Sequence, residues 1–250
     1  MTRLVRRLSV RAALSAAMLL VAGRAPAHAD WVVSAYLGTS KTATNTVTIE
    51  PKTGDAFDVG PISYETFAFE SPAYYGGRLT FFLPDMPWLG VGLEFTHNKA
   101  IADVAQLVSI DGAPPAPLSD VLRRLELSNG LNFALANVVV RRPIALGGSG
   151  DRIALMAYGG LGAAVPHVET TFAGEETFEY QVTGLGWQAG GGAEWRIASG
   201  LSAIADLRVT GGRQRLDMKT GTLVGAFTST QVDFGIGWHF GRAPAASSVR

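Results

Sequence analysis

Trp88-Leu89-Gly90-Val91-Gly92-Leu93-Glu94-Phe95-Thr96-His97-Asn98-Lys99 follows a tight Pro84-Asp85-Met86-Pro87 turn. Its side chains alternate. Leu89, Val91, Leu93 and Phe95 share one parity, and Gly90, Gly92, Glu94 and Thr96 share the other. A period of two marks a strand whose two faces meet different surroundings. The apolar face can meet a protein core or lipid. The stretch ends in His97-Asn98-Lys99, a polar tip with groups able to do chemistry. Two questions follow: what the apolar face touches, and what the tip meets.

The N-terminus bears on the first question. Arg3, Arg6, Arg7 and Arg11 precede a short apolar run from Ala12 to Ala22, and Ala27-His28-Ala29 is a small-residue cleavage pattern. Residues 1–29 therefore read as a secretory signal peptide, with a mature chain expected to start at Asp30. That leaves roughly 220 residues, enough for one β domain. The chain has no cysteine, so an exported protein of this kind must be held by burial, by closure of a sheet or by lipid. A formal charge of zero and a pI near 6.9 give no basic footprint, and no nucleic-acid partner is expected. Beyond the signal no apolar run is long enough for a transmembrane helix. Instead, 47% hydrophobic residues and 30 glycines are spread over short alternating segments, which points to an outer-membrane β-barrel.

Eight such segments can be read, at about 31–40, 74–83, 88–98, 128–141, 152–166, 182–196, 201–213 and 228–240. Their apolar parities place Leu37, Leu79, Phe81, Phe95, Leu161, Trp187, Leu207, Phe234 and Trp238 outward. In the fourth segment Leu131, Phe133, Leu135 and Val139 are assigned outward too. The opposite parity carries Arg78, Glu94, Glu194, Arg196, Asp206, Arg208 and Asp233. Lipid excludes such groups, whereas the filled interior of a small barrel can pair them. Inward glycines would make room for Arg and Tyr. Short connections at 84–87, 142–151 and 197–200 face longer ones at 41–63, 99–127, 168–181 and 214–227, the outer-membrane pattern of short periplasmic turns and long surface loops. Thr46-Val47-Thr48-Ile49 is expected to be a hairpin arm, Asp111–Leu118 a loop because of its three prolines, and Ser119–Leu127 a short helical turn. The expectation is an all-β, eight-stranded antiparallel transmembrane barrel over residues 30–240, with a tail at 241–250, located in the bacterial outer membrane.

The familiar catalytic signatures are missing: no His-Glu-x-x-His, no cysteine pair, no Gly-x-Ser-x-Gly and no phosphate loop. Gly147-Gly148-Ser149-Gly150 reads as a turn, since no helix follows it. The histidines remain. His239, beside Phe240, reads as an interfacial residue at the periplasmic end. His97 and His167 end two strands running upward, so both fall at the outer-leaflet rim. One reading makes them girdle residues. The other makes His97, Asn98, Lys99, His167 and Glu169 a site for a sugar headgroup, because imidazole moves protons near neutral pH and binds metals. By parity both histidines face lipid with one strand between them, roughly 10 Å apart, so a shared metal would need a bulge beside Pro166.

Gly92-Leu93-Glu94-Phe95-Thr96-His97-Asn98-Lys99, Asn129-Gly130-Leu131-Asn132, and Tyr158-Gly159-Gly160-Leu161-Gly162 followed by Val165-Pro166-His167-Val168-Glu169 resemble the outer-membrane lipid A oxidases of α-proteobacteria. The resemblance spans most of the mature chain. It implies a small barrel that oxidises the proximal glucosamine of lipid A to 2-aminogluconate with molecular oxygen. It further implies that His97, Asn98, Lys99, His167 and Glu169 belong to the site. In that reading His97, His167 and Glu169 are catalytic, and Asn98 and Lys99 hold phosphate or sugar oxygens. Because oxygen reacts sluggishly with closed-shell sugars, a divalent metal or other redox helper is expected, with His97 and His167 as candidate ligands. The expected partners are lipid A, lipopolysaccharide and outer-membrane lipids, around a monomer. The competing reading is a non-catalytic surface barrel, envelope-stabilising or adhesive. A lipid A deacylase or acyltransferase ranks last, because no serine neighbours His97 or His167 in sequence.

Overall fold

The computed structural model describes residues 30–67, 69–71, 73–144 and 152–241. The expected signal peptide, the 147–150 turn and the tail beyond Gly241 lie outside the described residues. Fifteen strands and one 3-10 turn make up the described residues. They are β1 (Asp30–Thr42), β2 (Asn45–Pro51), β3 (Phe57–Ile62), β4 (Tyr64–Glu65), β5 (Tyr75–Leu83), β6 (Met86–Ala102), β7 (Leu107–Ile110) and β8 (Ala116–Pro117). After the 3-10 turn Leu118–Asp120 come β9 (Leu122–Ile144), β10 (Ile153–Ala164), β11 (His167–Phe172), β12 (Glu175–Tyr180), β13 (Gly184–Ala198), β14 (Leu201–Met218) and β15 (Gly221–Phe240).

Eight of these close a ring. The order β1-β5-β6-β9-β10-β13-β14-β15 is antiparallel throughout, and β15 returns to pair with β1, with Trp31 opposite Phe240. This is the expected eight-stranded transmembrane-type barrel, and closure removes the unpaired edges that an open sheet would carry. The rim holding Asp30 and Phe240 is called the lower rim here. The opposite, upper rim bears β2, β3, β7, β8 and the β11–β12 hairpin.

Along β6 the alternation is as read: Val91, Leu93 and Phe95 are exposed, while Gly90, Glu94 and Thr96 are buried. The same pattern in β1, β10, β13, β14 and β15 exposes Val33, Leu37, Leu155, Leu161, Leu185, Trp187, Leu207, Phe234, Ile236 and Trp238, making a continuous apolar belt around the barrel. The interior behind it is charged and paired. Glu94 accepts from Arg78 Nε (3.0 Å), Tyr36 Oη (2.7 Å), Asn137 Nδ2 (2.8 Å), Gln188 Nε2 (2.6 Å) and Arg208. Arg208 also pairs with Asp233 at 2.6 Å, and Arg78 with Asp206 at 3.1 Å. Room for these long side chains comes from missing ones. A Cβ on Gly76 would stand 2.2 Å from the Tyr36 ring, and one on Gly190 would stand 2.8 Å from both Arg208 and Tyr158.

Above the belt the pattern inverts. On β14, Arg213, Arg215 and Asp217 point out while Leu216 and Met218 are buried. There the outside is water, so polar groups face out and apolar groups fill the centre. Val47, Ile49, Val59, Ile62, Leu118, Leu122, Leu131, Phe133, Val168 and Phe227 join in one hydrophobic cluster that stoppers the upper barrel. Each such side chain contributes about 1.5–3 kcal/mol relative to exposure.

Three expectations are corrected. Leu131, Phe133, Leu135 and Val139 point inward, Phe133 being only 1% exposed. Both parities of this strand are apolar, and Asn137 and Arg141, which need the interior, fix its register opposite to that reading. His239 is interior as well: its ring bridges Asp30 (Nδ1–Oδ1 3.1 Å) and Glu194 (Nε2–Oε1 2.7 Å), beside the Arg141–Asp30 pair. Finally, the segments read as loops at 99–127, 168–181 and 214–227 are largely strand. Ser119–Leu127 holds only the end of a 3-10 turn before β9 begins at Leu122. The Thr46–Ile49 arm is present as β2.

Candidate functional site

Where β6 leaves the apolar belt, a groove of about 360 Å³ opens in the outer wall. Tyr75 of β5, Phe95 and His97 of β6, Asn129 and Asn132 of β9, Val165 and Tyr180 line it. The pairing brings them together: Tyr75 lies opposite His97, and His97 opposite Asn132. The His97 ring stacks on Tyr75, centroids 4.8 Å apart and planes 17° apart. Its Nδ1 is 2.9 Å from Asn132 Oδ1, and Asn132 Nδ2 donates to the Val165 carbonyl at 3.2 Å. His97 is only 4% exposed, and its Nε2 is buried with no hydrogen-bond partner among the described residues. Buried polar atoms are rarely left so, and His97 is one of the residues that line the groove.

A second cluster braces the groove from above. Glu169 on β11 accepts from Ser128 Oγ (2.8 Å), Asn129 Nδ2 (2.6 Å) and Arg124, and contacts His167 Nδ1 at 2.9 Å. Burial raises its pKa, but the hydrogen bonds from Ser128, His167 and Asn129, with the Arg124 charge, outweigh that and hold the carboxyl below the usual range. Arg124 moves the opposite way: burial alone would lower its pKa, yet Glu126 and Glu169 keep it raised. Tyr180 Oη donates to the Asn129 carbonyl at 3.2 Å, and the edges of Tyr180 and Phe178 meet the His167 ring at 4.6 and 4.4 Å.

The five residues expected at the site are thus divided. His97 lines the groove. His167 and Glu169 stand behind its upper wall and reach it through Tyr180 and Asn129. Asn98 turns inward, where its Oδ1 accepts from Ser40 Oγ at 2.5 Å and from the Lys99 amide at 2.8 Å. Lys99 Nζ donates to the carbonyls of Phe67 (3.3 Å) and Glu70 (3.0 Å), where burial pushes its pKa down against a partial offset from Glu70. A register shift between Asn98 and Ala100 carries both residues away from the groove. Ser128, the first residue of the fourth segment and not expected at the site, does approach the histidine cluster, but its hydroxyl donates to Glu169, a carboxylate whose lowered pKa makes it a weak base, rather than to an imidazole.

A divalent metal does not fit these residues. Among the described residues no three His, Asp or Glu side chains form a set that could hold a metal ion, and Glu169 is already filled by protein donors. The set that does converge combines one imidazole acceptor, two amides and three aromatic faces. That combination suits a hydroxyl-bearing ring lying against apolar surface. Tyr75, Asn129, Asn132 and Tyr180 were not foreseen as site residues, although Asn129 and Asn132 lie within a stretch that carries the family resemblance.

No family model matches the chain, and no curated protein does. Three solved structures of similar shape are small outer-membrane barrels. The N-terminal barrel domain of Pseudomonas aeruginosa OprF is 13% identical over 84% of this chain and 97% of that one, at a TM-score of 0.39. Neisserial surface protein A is 10% identical over 85% and 99%, at 0.40. AlkL, solved in lipid bilayers, is 13% identical over 90% and 95%, also at 0.40. At these identities and scores the neighbours carry no argument about what this chain binds.

Proposed function

We propose that this chain is an outer-membrane barrel that takes the sugar headgroup of lipid A into its rim groove and oxidises the proximal glucosamine to 2-aminogluconate. The observation that carries the reading is His97: a buried imidazole with a free Nε2, in a groove of aromatic and amide side chains where the apolar belt ends. An acyl chain can lie on Leu93 and Val91 below while the headgroup reaches the groove. The belt supports the membrane placement, since a soluble protein rarely exposes so large an apolar band. The segments that resemble lipid A oxidases supply His97, Asn129, Asn132 and Val165 to the wall.

In this reading Tyr75 and Tyr180 stack on the sugar, and Asn129 and Asn132 orient its hydroxyls. His97 Nε2 takes the proton of the free anomeric hydroxyl as C1 gives up its hydrogen and two electrons. Molecular oxygen accepts two electrons and two protons to become hydrogen peroxide, and water opens the lactone, so the lipid gains one oxygen atom.

Purified protein in bilayers containing lipid A with a free anomeric position provides the test. Under air, oxidised lipid and hydrogen peroxide should appear in equal amounts. Neither should appear under nitrogen or with His97→Gln. A folded barrel that yields neither product under air refutes the oxidase reading.

One observation favours the non-catalytic alternative. The β2–β3 and β11–β12 hairpins form a packed head on the upper rim, which is more than a groove requires. Such a head suits a surface barrel whose exposed part is an adhesive or envelope-bracing module.

A further inference from the structure

We propose that Asn132 is a positioning residue: it fixes His97 as the Nδ1–H tautomer, so that Nε2 presents a lone pair to a sugar hydroxyl in the groove. The inference deepens the reading of the groove as a headgroup site and rests on it.

The hydrogen bonds determine the tautomer in sequence. The Val165 carbonyl can only accept, so the Asn132 group 3.2 Å from it must be the amide NH2. The Asn132 oxygen is thereby turned toward His97, 2.9 Å from Nδ1. An oxygen with no hydrogen of its own can only accept there, so Nδ1 carries the proton. A second proton on Nε2 would make a buried cation whose new donor has no acceptor among the described residues, none of whose carboxylates contacts this ring. The neutral ring then holds its lone pair at Nε2. Tyr75, stacked 4.8 Å away, fixes the ring plane. The Val165 amide in turn donates to the Asn132 carbonyl at 2.8 Å, so backbone and side chain lock the same pair of residues together. His97 is held ready to accept a hydrogen bond before any ligand arrives, which spares the site the reorganisation a free imidazole would undergo.

The consequence is specific. A group whose only role was packing could be replaced by any side chain of similar volume, whereas a tautomer lock needs an acceptor opposite Nδ1. Asn132→Asp retains that acceptor and Asn132→Leu removes it.

Nitrogen-15 histidine labelling of the full mature chain in lipid nanodiscs reads the tautomer through long-range proton–nitrogen correlations, with His97→Gln assigning the signal. At alkaline pH, wild type and Asn132→Asp should both show a pyrrole-type Nδ1 and a pyridine-type Nε2. Asn132→Leu, checked for folding by heat-modifiable gel migration, should lose that pattern. Lipid A added to the nanodiscs should shift the Nε2 resonance, while phospholipid without sugar, or free glucosamine, should leave it in place. An Nε2–H ring in the wild type overturns the proposal, as does an unaltered pattern in Asn132→Leu or an Nε2 signal indifferent to lipid A. Should Asn132→Leu fail to fold, wild type and Asn132→Asp still decide. The pattern with no lipid A oxidation supports the lock and refutes the oxidase; oxidation without the pattern refutes the lock alone.

Discussion

Replacing Glu94 by Ala removes the centre of the barrel's interior. Its two oxygens accept six hydrogen bonds from five side chains: Tyr36, Arg78, Arg208, Asn137 and Gln188. Most of these donors keep a second partner. Arg78 retains Asp206, Arg208 retains Asp233, Tyr36 retains Thr96 at 2.9 Å, and Gln188 retains Asn137 at 2.7 Å. The neutral donors therefore contribute little to the loss. What remains is the removal of one carboxylate from between two fully buried guanidinium groups, and breaking a buried pair in this way costs about 3–5 kcal/mol. Urea titration of the folded barrel in bilayers, followed by tryptophan fluorescence, should show that loss for Glu94→Ala. The double variant Glu94→Ala with Arg208→Ala should lose less than the sum of the two single changes, because each single change already breaks the same buried pair. If Glu94→Ala unfolds within about 0.5 kcal/mol of the parent protein, Asp206 and Asp233 hold the two arginines without Glu94, and the account that makes Glu94 the centre of the paired core fails.

Leu207→Arg on the outer face, between Gly191 and Val232 on the neighbouring strands, should cost about 2–4 kcal/mol in a bilayer; unchanged bilayer stability would show that this face does not meet lipid. Gly76→Val places a Cβ 2.2 Å from the Tyr36 ring, which its bond to Glu94 holds in place, so the fast-migrating folded band on unheated gels should be lost. Glu169, whose pKa is lowered in the fold, stabilises the upper hairpin above the ordinary carboxylate range, and that contribution disappears as pH falls through the lowered value. Protection of residues 167–172 from hydrogen exchange, taken relative to the intrinsic rate at each pH, should therefore fall in acid in the wild type, and Glu169→Gln should abolish that fall; an identical pH profile of protection in both would refute the assignment.

The barrel was legible wherever a strand has one polar and one apolar parity. β6 and β15 are such strands: Glu94 and Asp233 declare the interior, and Phe95 and Phe234 the lipid face. β9 is not, because Ala134, Ala136, Val138 and Val140 are as apolar as Phe133, Leu135 and Val139, and only Asn137 and Arg141 break the tie. The upper ends of β14 and β15 look like loop in the sequence for a related reason. Once a strand rises out of lipid its outer face turns polar, so Arg213, Arg215 and Asp217 no longer resemble a continuation of Leu207 and Val209. At the site, His97 could be singled out because it ends an alternating strand. Asn98 and Lys99 were grouped with it by adjacency, yet the register shift after Asn98 sends them elsewhere. Tyr75 and Tyr180 reach the groove through strand pairing and hairpin folding, which no local pattern encodes. Asn129 and Asn132 carried a sequence signal without a role until the Val165 carbonyl and the Glu169 carboxylate supplied one.

Mass spectrometry of lipid A from cells producing the wild-type chain, the folded His97→Gln variant, or neither tests the central claim most directly. Lipid A should gain one oxygen atom on its proximal glucosamine with the wild type alone, in cells grown under air. The same lipid A profile in all three populations, with both proteins folded in the outer membrane, would contradict it and leave a surface barrel whose rim groove serves no oxidation.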